Sequence, residues 1–113
     1  MITIYHNTRC SKSRCALEIL QKKKADVRVV EYLKTPPSEK ELKEVLKKLG
    51  MKAEEIIRKK EPLFKEEYKG KKLTEEQWIK ILVKHPVLIE RPIVVNGNKA
   101  VIGRPPENIK QIF

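Results

Sequence analysis

The sequence predicts an α/β fold in which a βαβ unit, a helical insertion and a ββα unit surround a mixed four-stranded sheet. Three observations lead to this prediction. Two β-type runs enclose a helical pattern near the start, a helix-rich stretch follows two adjacent prolines, and an Asn-Gly turn joins two β-branched runs near the end. A chain of 113 residues is expected to form one domain, covering residues 1–113.

The start of the chain carries the pattern of a βαβ unit. Residues 2–5 and 27–32 are rich in β-branched side chains, which is typical of strands. Between them, residues 11–24 place an apolar stripe at helical spacing, with lysines opposite: Ala16, Leu17, Ile19 and Leu20. A strand, a helix and a strand within about 30 residues predict parallel strands joined by a right-handed crossover.

The middle of the chain is predicted to be helical. Ser38 and Thr74 each begin a capping box, with Glu or Gln three residues later, and Gly50 is expected to end the first of these helices. A further short helix is predicted over residues 51–59. Pro62 is interpreted as the stop signal for that helix.

The end of the chain carries the pattern of a ββα unit. Residues 93–95 and 100–102 flank Asn96-Gly97, a strong signal for a β-hairpin, and a helix is expected after Gly103. Together with the βαβ unit, this arrangement is the plan of a thioredoxin-like domain. That fold often carries a cis-proline beside its catalytic cysteine, and Pro92, directly before the hairpin, is predicted to be cis.

Cys10 lies between the first strand and the first helix. The unpaired N–H groups of the first helical turn and the helix dipole stabilise a thiolate at that position. Arg9, Lys12 and Arg14 add positive charge, and Ser13 is placed to offer a hydroxyl to the sulfur. The alternative is an inert cysteine packed under the helix, but the basic and polar neighbours favour a reactive nucleophile.

Composition limits the classes of function. The net charge is 26 − 15 = +11, so the surface should attract anions such as oxyanions or acidic protein surfaces. The basic residues are spread along the chain without a stacked-aromatic motif, so the sequence gives no support for nucleic-acid binding. The sequence contains no long apolar run and no leader pattern, so we expect a cytoplasmic protein that does not enter the membrane.

Several short fragments fall in a fixed order over essentially the whole chain: Tyr5-His6-Asn7, Cys10, Ser13-Arg14, Arg58, Glu61-Pro62, His85-Pro86, Glu90-Arg91-Pro92-Ile93-Val94-Val95 and Gly103-Arg104-Pro105. Each fragment is weak alone. Their combined order and spacing resemble the glutaredoxin-coupled arsenate reductase family.

The resemblance implies roles for individual residues. In that family one cysteine attacks arsenate and a nearby histidine favours its ionisation, roles that match Cys10 and His6, and Ser13 is a second candidate for that tuning role. Three arginines hold the oxyanion, and the matching positions are Arg58, Arg91 and Arg104. The planar guanidinium fork suits a tetrahedral oxyanion.

The resemblance also implies the reaction partners. The substrate is an oxyanion, and the electrons come from glutathione and glutaredoxin or from another thiol donor. The family's enzymes hold no bound cofactor, and glutathione acts as a co-substrate. Two other functions stay open: a glutathione-dependent thiol reductase of unknown substrate, and a regulator of the Spx type that binds RNA polymerase. Regulators of that type carry C-x-x-C, whereas here Ser13 stands three positions after Cys10.

Cys15 is a possible resolving cysteine, but its spacing from Cys10 is unfavourable. Five residues on an ideal helix give ~7.5 Å of rise and ~140° of rotation, which separates the α-carbons by about 8–9 Å. A disulfide tolerates only up to ~7 Å. We therefore expect Cys15 to be a partly buried helix thiol. No metal site is predicted, because a fourth ligand is not apparent.

Overall fold

The structure, a computed structural model, describes residues 2–24 and 26–112. Its strands are Ile2–His6 (β1), Val27–Glu31 (β2), Ile93–Asn96 (β3) and Lys99–Ile102 (β4). Its α-helices are Ser11–Lys22 (α1), Glu39–Leu49 (α2), Pro62–Glu67 (α3) and Glu75–Lys84 (α4). Short 3₁₀ helices occupy Ala53–Ile56, Pro86–Leu88 and Pro106–Ile112.

The chain divides into two compact units. The first contains the residues up to Thr35 together with those from Arg91 onward, and the second is Pro36–Glu90. The four strands and α1 belong to the first unit, and α2, α3 and α4 belong to the second. None of the helices in the described parts of the chain has the length and apolar character needed to span a bilayer. The expectation of one domain over residues 1–113 stays a prediction.

The sheet of the first unit has the strand order β2-β1-β3-β4. β1 pairs in parallel with β2, and β3 is antiparallel to both β1 and β4. This arrangement confirms the predicted α/β, thioredoxin-like fold, with its βαβ and ββα units on one mixed four-stranded sheet. The hairpin turns at Gly97, whose φ of +61° lies in the left-handed region that glycine adopts without strain.

One edge of this sheet gathers four chain segments. His6 at the end of β1 is paired with Glu31 at the end of β2. Ile93 at the start of β3 lies opposite Tyr5 in β1 and opposite Ile102 at the end of β4. The loops that follow β1, β2 and β4 and the segment that precedes β3 therefore leave the sheet at the same edge.

The core of the first unit depends on two periodicities. Along β1 every second residue is buried, so Ile2, Ile4 and His6 share the inner face. Along α1 the buried positions are Ser13, Ala16 and Leu20, which lie on one helical stripe. Apolar side chains from the rest of the unit complete this core: Val94, Ile109 and Ile112. His6 and Ser13 are polar residues on these two inner faces, so each needs a hydrogen-bond partner inside the protein.

Helix ends in the second unit follow the predicted signals. The Thr74 hydroxyl accepts from the Gln77 N–H at 3.2 Å, and the Gln77 side chain returns a bond to the Thr74 N–H at 2.9 Å. The Ser38 hydroxyl accepts from the Glu41 N–H at 3.1 Å, which is one half of the predicted box. Gly50 ends α2 with φ +69°.

Two helix predictions in the second unit were wrong. Residues 51–59 contain only the 3₁₀ turn Ala53–Ile56, because Ile57 is extended and forms a β-bridge with Ile89. Pro62 begins α3 instead of ending a helix. Proline is well suited to the first helical position, where the N–H that it lacks would be unpaired anyway.

Candidate active site

Cys10 occupies the N-cap position of α1, with extended backbone at φ −96° and ψ 121°. Its N–H donates to the Asn7 carbonyl at 3.0 Å, and its own carbonyl accepts from the Arg14 N–H at 3.0 Å. The residue is half-buried, and the first turn of α1 contains no acidic side chain. The sulfur therefore belongs to a helix N-terminus whose dipole favours negative charge.

His6 and Ser13 form a buried pair beside the Cys10 loop. His6 is 4% exposed and Ser13 is fully buried. The distance from His6 Nδ1 to Ser13 Oγ is 2.6 Å, and the Asn7 N–H donates to the same hydroxyl oxygen at 3.0 Å. The Ser13 hydroxyl, which was predicted to face the Cys10 sulfur, is thus hydrogen-bonded to the imidazole and to the loop backbone.

The environment of His6 fixes its charge. Burial lowers the pKa of His6 below its ordinary value of 6.5, and the positive charge of Arg14 acts in the same direction. The nearby Glu31 carboxylate and a backbone hydrogen bond at Ser13 oppose this change but are smaller effects. The ring is therefore neutral at pH 7. A hydroxyl carries one proton and two acceptor lone pairs, so Ser13 can accept from the Asn7 N–H and still form its hydrogen bond with Nδ1.

Asn7 organises the loop between β1 and α1 through both its backbone and its side chain. Its N–H donates to Ser13, its carbonyl accepts from Cys10, and its side-chain Oδ1 accepts from the Arg9 N–H at 3.0 Å. The Arg14 guanidinium adds a bond to the Thr8 carbonyl at 3.4 Å. An asparagine side-chain oxygen that accepts from the backbone N–H two residues later forms an Asx-turn. The asparagine directly after β1 is therefore the sequence signal for this loop.

Arg91 and Arg104 flank the hairpin at the same sheet edge as the Cys10 loop. The Gly103 N–H donates to the Pro92 carbonyl at 2.8 Å, which joins the residues next to the two arginines. A Cβ at position 103 would lie 3.1 Å from Pro92 Cγ, so glycine permits this close approach. The Arg91–Pro92 bond is cis, which confirms the prediction, and the Arg104–Pro105 bond is also cis.

The Arg91 side chain carries an unused donor. Its Nε atom is buried and has no hydrogen-bond partner within residues 2–24 and 26–112. A buried guanidinium N–H without an acceptor is unfavourable unless something else supplies one. Arg104, in contrast, is exposed, and Asn108 holds its loop by donating to the Arg104 carbonyl at 3.3 Å.

Arg58 belongs to the second unit, where it is held by a carboxylate. Its Nη1 lies 2.6 Å from Glu61 Oε1, and the two side chains are only 18% and 22% exposed. The Arg58 N–H also donates to the Leu88 carbonyl at 2.7 Å. Glu61 is the N-cap of α3 but forms no side-chain cap bond, so its carboxylate is committed to the arginine.

Cys15 is exposed on α1, so the expectation of a partly buried thiol was wrong. Both cysteines are free thiols. Cys15 is exposed because Ser13 and Ala16 define the buried stripe of α1, and Cys15 lies about 100° away from Ala16 around the helix. Within the described residues, no group of three His, Cys, Asp or Glu side chains could hold a metal ion.

A cavity of about 210 Å³ adjoins the loop after β1. Residues 6–9 form one wall, and the turn after β2 forms the other, with the half-exposed Leu33 and the ion pair between Lys34 and Glu31 at 3.7 Å. Five of the residues predicted for the site belong to the first unit and lie at the sheet edge where β1 ends: His6, Cys10, Ser13, Arg91 and Arg104.

Comparison with known proteins identifies related chains. The ArsC family model matches residues 5–112. The chain is 48% identical to the uncharacterized protein YfgD of Escherichia coli K12, over 98% of this chain and 95% of the relative. It is 43% identical to the arsenate reductase of Neisseria meningitidis serogroup B, over 99% and 97%. The structure of the arsenate reductase from Vibrio cholerae superposes with a TM-score of 0.95 at 41% identity, covering 99% of this chain and 97% of the other.

Proposed function

The chain belongs to the ArsC family, and from this premise we propose that it reduces arsenate to arsenite with Cys10 as the nucleophile. The observation that carries the proposal is the arrangement at one sheet edge, where a helix N-terminus presents Cys10 and the hairpin ends present two arginines. The relatives named arsenate reductase support the choice of substrate.

In the first step, the Cys10 thiolate attacks arsenic(V). An As–S bond forms, and one As–O bond breaks as hydroxide leaves and takes up a proton to become water. The N-terminus of α1 favours the thiolate before the step. Positively charged donors aimed at the oxyanion stabilise the charge that develops during the step.

Two donor thiols then complete the reduction. The first donor attacks arsenic in the Cys10 adduct, so that a second As–S bond forms and one As–O bond breaks with loss of water. The second donor attacks the sulfur of the first donor, so that the disulfide between the two donors forms, this second As–S bond breaks and its electron pair stays on arsenic. The two electrons from these thiols convert arsenic(V) to arsenic(III), and water then releases arsenite and restores the Cys10 thiol. We propose glutathione as the first donor and glutaredoxin or another thiol protein as the second, acting in the cytoplasm, so that one cysteine of this chain suffices.

Arg91, Arg104 and Arg58 are proposed to bind the oxyanion. The support for Arg91 is its buried Nε without an acceptor, which an arsenate oxygen would satisfy. Arg104 is supported by its place beside the Gly103–Pro92 hydrogen bond. Arg58 rests on the match to the family's arginine, and Glu61 is proposed to hold its guanidinium in one orientation.

His6 and Ser13 are proposed as positioning residues. The neutral imidazole of His6 fixes the Ser13 hydroxyl, and that hydroxyl fixes the Asn7 N–H, which orients the loop that ends at Cys10. Neither side chain needs to touch arsenate for this role. They keep Cys10 at the N-cap, where the thiolate is favoured.

The proposal is tested by incubating purified protein with arsenate, glutathione and glutaredoxin and measuring arsenite. We expect turnover that is abolished by Cys10→Ser and largely retained by Cys15→Ser. If Cys15→Ser abolished turnover, Cys15 would be the resolving thiol and the glutathione step would be wrong. If wild-type protein reduced a disulfide substrate with glutathione but produced no arsenite, the chain would be a general thiol reductase.

A further inference from the structure

The second unit carries a cavity of about 470 Å³ that the proposed reaction does not use. Phe64 and Trp78 line it with apolar surface, and both side chains are at least nine-tenths buried. Five lysines also line it: Lys59, Lys65, Lys69, Lys71 and Lys72. We call this cavity the lysine pocket.

The charge of the lysine pocket is unbalanced. Glu54 is the single carboxylate among its lining residues, against five ammonium groups. None of these lysines forms an ion pair with a carboxylate in the portion of the chain that the structure describes. Five ammonium groups around one concavity produce a positive potential inside it, so the pocket favours an anion.

Backbone hydrogen bonds hold the lysine-bearing turn in place. After α3, the N–H groups of Tyr68 and Lys69 both donate to the Phe64 carbonyl at 2.9 Å, and the Lys71 N–H donates to the Tyr68 carbonyl at 3.0 Å. Gly70 allows this turn with φ +80°. The Lys71 ammonium lies 5.5 Å from the centre of the Tyr68 ring, a cation–π contact that restrains its side chain.

We propose that the lysine pocket binds a small phosphorylated molecule that carries at least three negative charges, such as a polyphosphate ester. Lysine is an effective point-charge donor to phosphate, and several lysines around one concavity match several phosphate charges. The volume lies within the roughly 300–1,000 Å³ typical of small-molecule sites. A concave site of this size favours a small ligand over a flat protein surface.

Trp78 reports on this site directly, because it is the only tryptophan of the chain. The experiment titrates purified full-length protein with sodium tripolyphosphate, and separately with ATP, in magnesium-free buffer while tryptophan emission is followed. We expect a saturable change whose Kd rises with added salt. Because charge-assisted contacts are lost, Lys69→Gln/Lys71→Gln should raise the Kd at least about tenfold.

The control removes the same charge from α2 of the same unit. Lys40→Gln/Lys47→Gln, at two exposed positions outside the pocket, should change the Kd less than about twofold if the pocket is a site. Arg91→Ala, which alters the proposed arsenate site, should likewise leave this Kd unchanged.

Three results would overturn the proposal. The first is the absence of saturable binding for both tripolyphosphate and ATP. The second is an equal loss of affinity in the two lysine double variants, which would show generic charge attraction. The third is an oligoglutamate peptide that binds as tightly as tripolyphosphate, which would make this surface a docking site for acidic proteins.

Discussion

Ser13→Ala tests whether the buried hydroxyl organises the Cys10 loop. The substitution removes one oxygen from a fully buried position and adds no bulk, so its effect reports on hydrogen bonding. It leaves His6 Nδ1 and the Asn7 N–H without their shared partner. An unsatisfied buried polar group costs about 1–3 kcal/mol. Because His6 is buried and Asn7 is only half-buried, we expect a total loss of about 2 kcal/mol.

The assay is urea unfolding at pH 7, together with thermal unfolding, where this loss corresponds to a fall in Tm of roughly 8 °C. Ser11→Ala is the matched control, since it makes the same change at an exposed position of the same helix. We expect it to alter stability by less than about 0.5 kcal/mol. Equal effects of the two substitutions would refute the role given to the Ser13 hydroxyl.

Three further predictions concern the arginines and His6. Arg91→Ala should raise the KM for arsenate about tenfold or more, because it removes charge-assisted donors. Arg28→Ala, on an exposed part of β2, should have little effect. Similar KM values for the two variants would indicate generic attraction of arsenate to positive charge. Because burial lowers the pKa of His6, the unfolded chain binds a proton at this residue at a higher pH than the folded protein does. The stability contributed by the neutral imidazole is therefore complete above pH 6.5 and is lost as the pH falls through the lower pKa of the folded protein. The Tm of wild-type protein should therefore fall more steeply below pH 6.5 than that of His6→Gln, and parallel profiles would contradict this. Glu61→Ala leaves the largely buried Arg58 guanidinium without its carboxylate, and urea unfolding should show a loss of about 1–2 kcal/mol; an unchanged midpoint would show that the pair contributes nothing.

The fold could be predicted because its signals are local. The Asn-Gly dipeptide and the β-branched runs on either side of it specify the hairpin without reference to the rest of the chain. The helix caps at Ser38 and Thr74 are local in the same sense. Pro62 was misread because proline can follow one helix or begin the next, and only the surrounding packing distinguishes the two cases.

The details of the site were harder to predict because they depend on which face each element buries. The alternation along β1 places His6 inward, and the helical stripe of α1 places Ser13 inward, so the two side chains meet. Sequence reasoning took the stripe of α1 from its apolar residues alone. Ser13 was therefore not counted among the buried residues of α1. Its hydroxyl was predicted to face the Cys10 sulfur, and Cys15 was predicted to be partly buried although it is exposed.

The most direct test of the central claim is site-resolved alkylation of Cys10 and Cys15 by iodoacetamide at pH 7, with and without arsenate, measured by mass spectrometry. If Cys10 is the nucleophile proposed above, it should react faster than Cys15, although Cys15 is the more exposed, and arsenate should protect Cys10 alone in a saturable manner. Equal reaction rates at the two cysteines, with no protection by arsenate, would contradict the account.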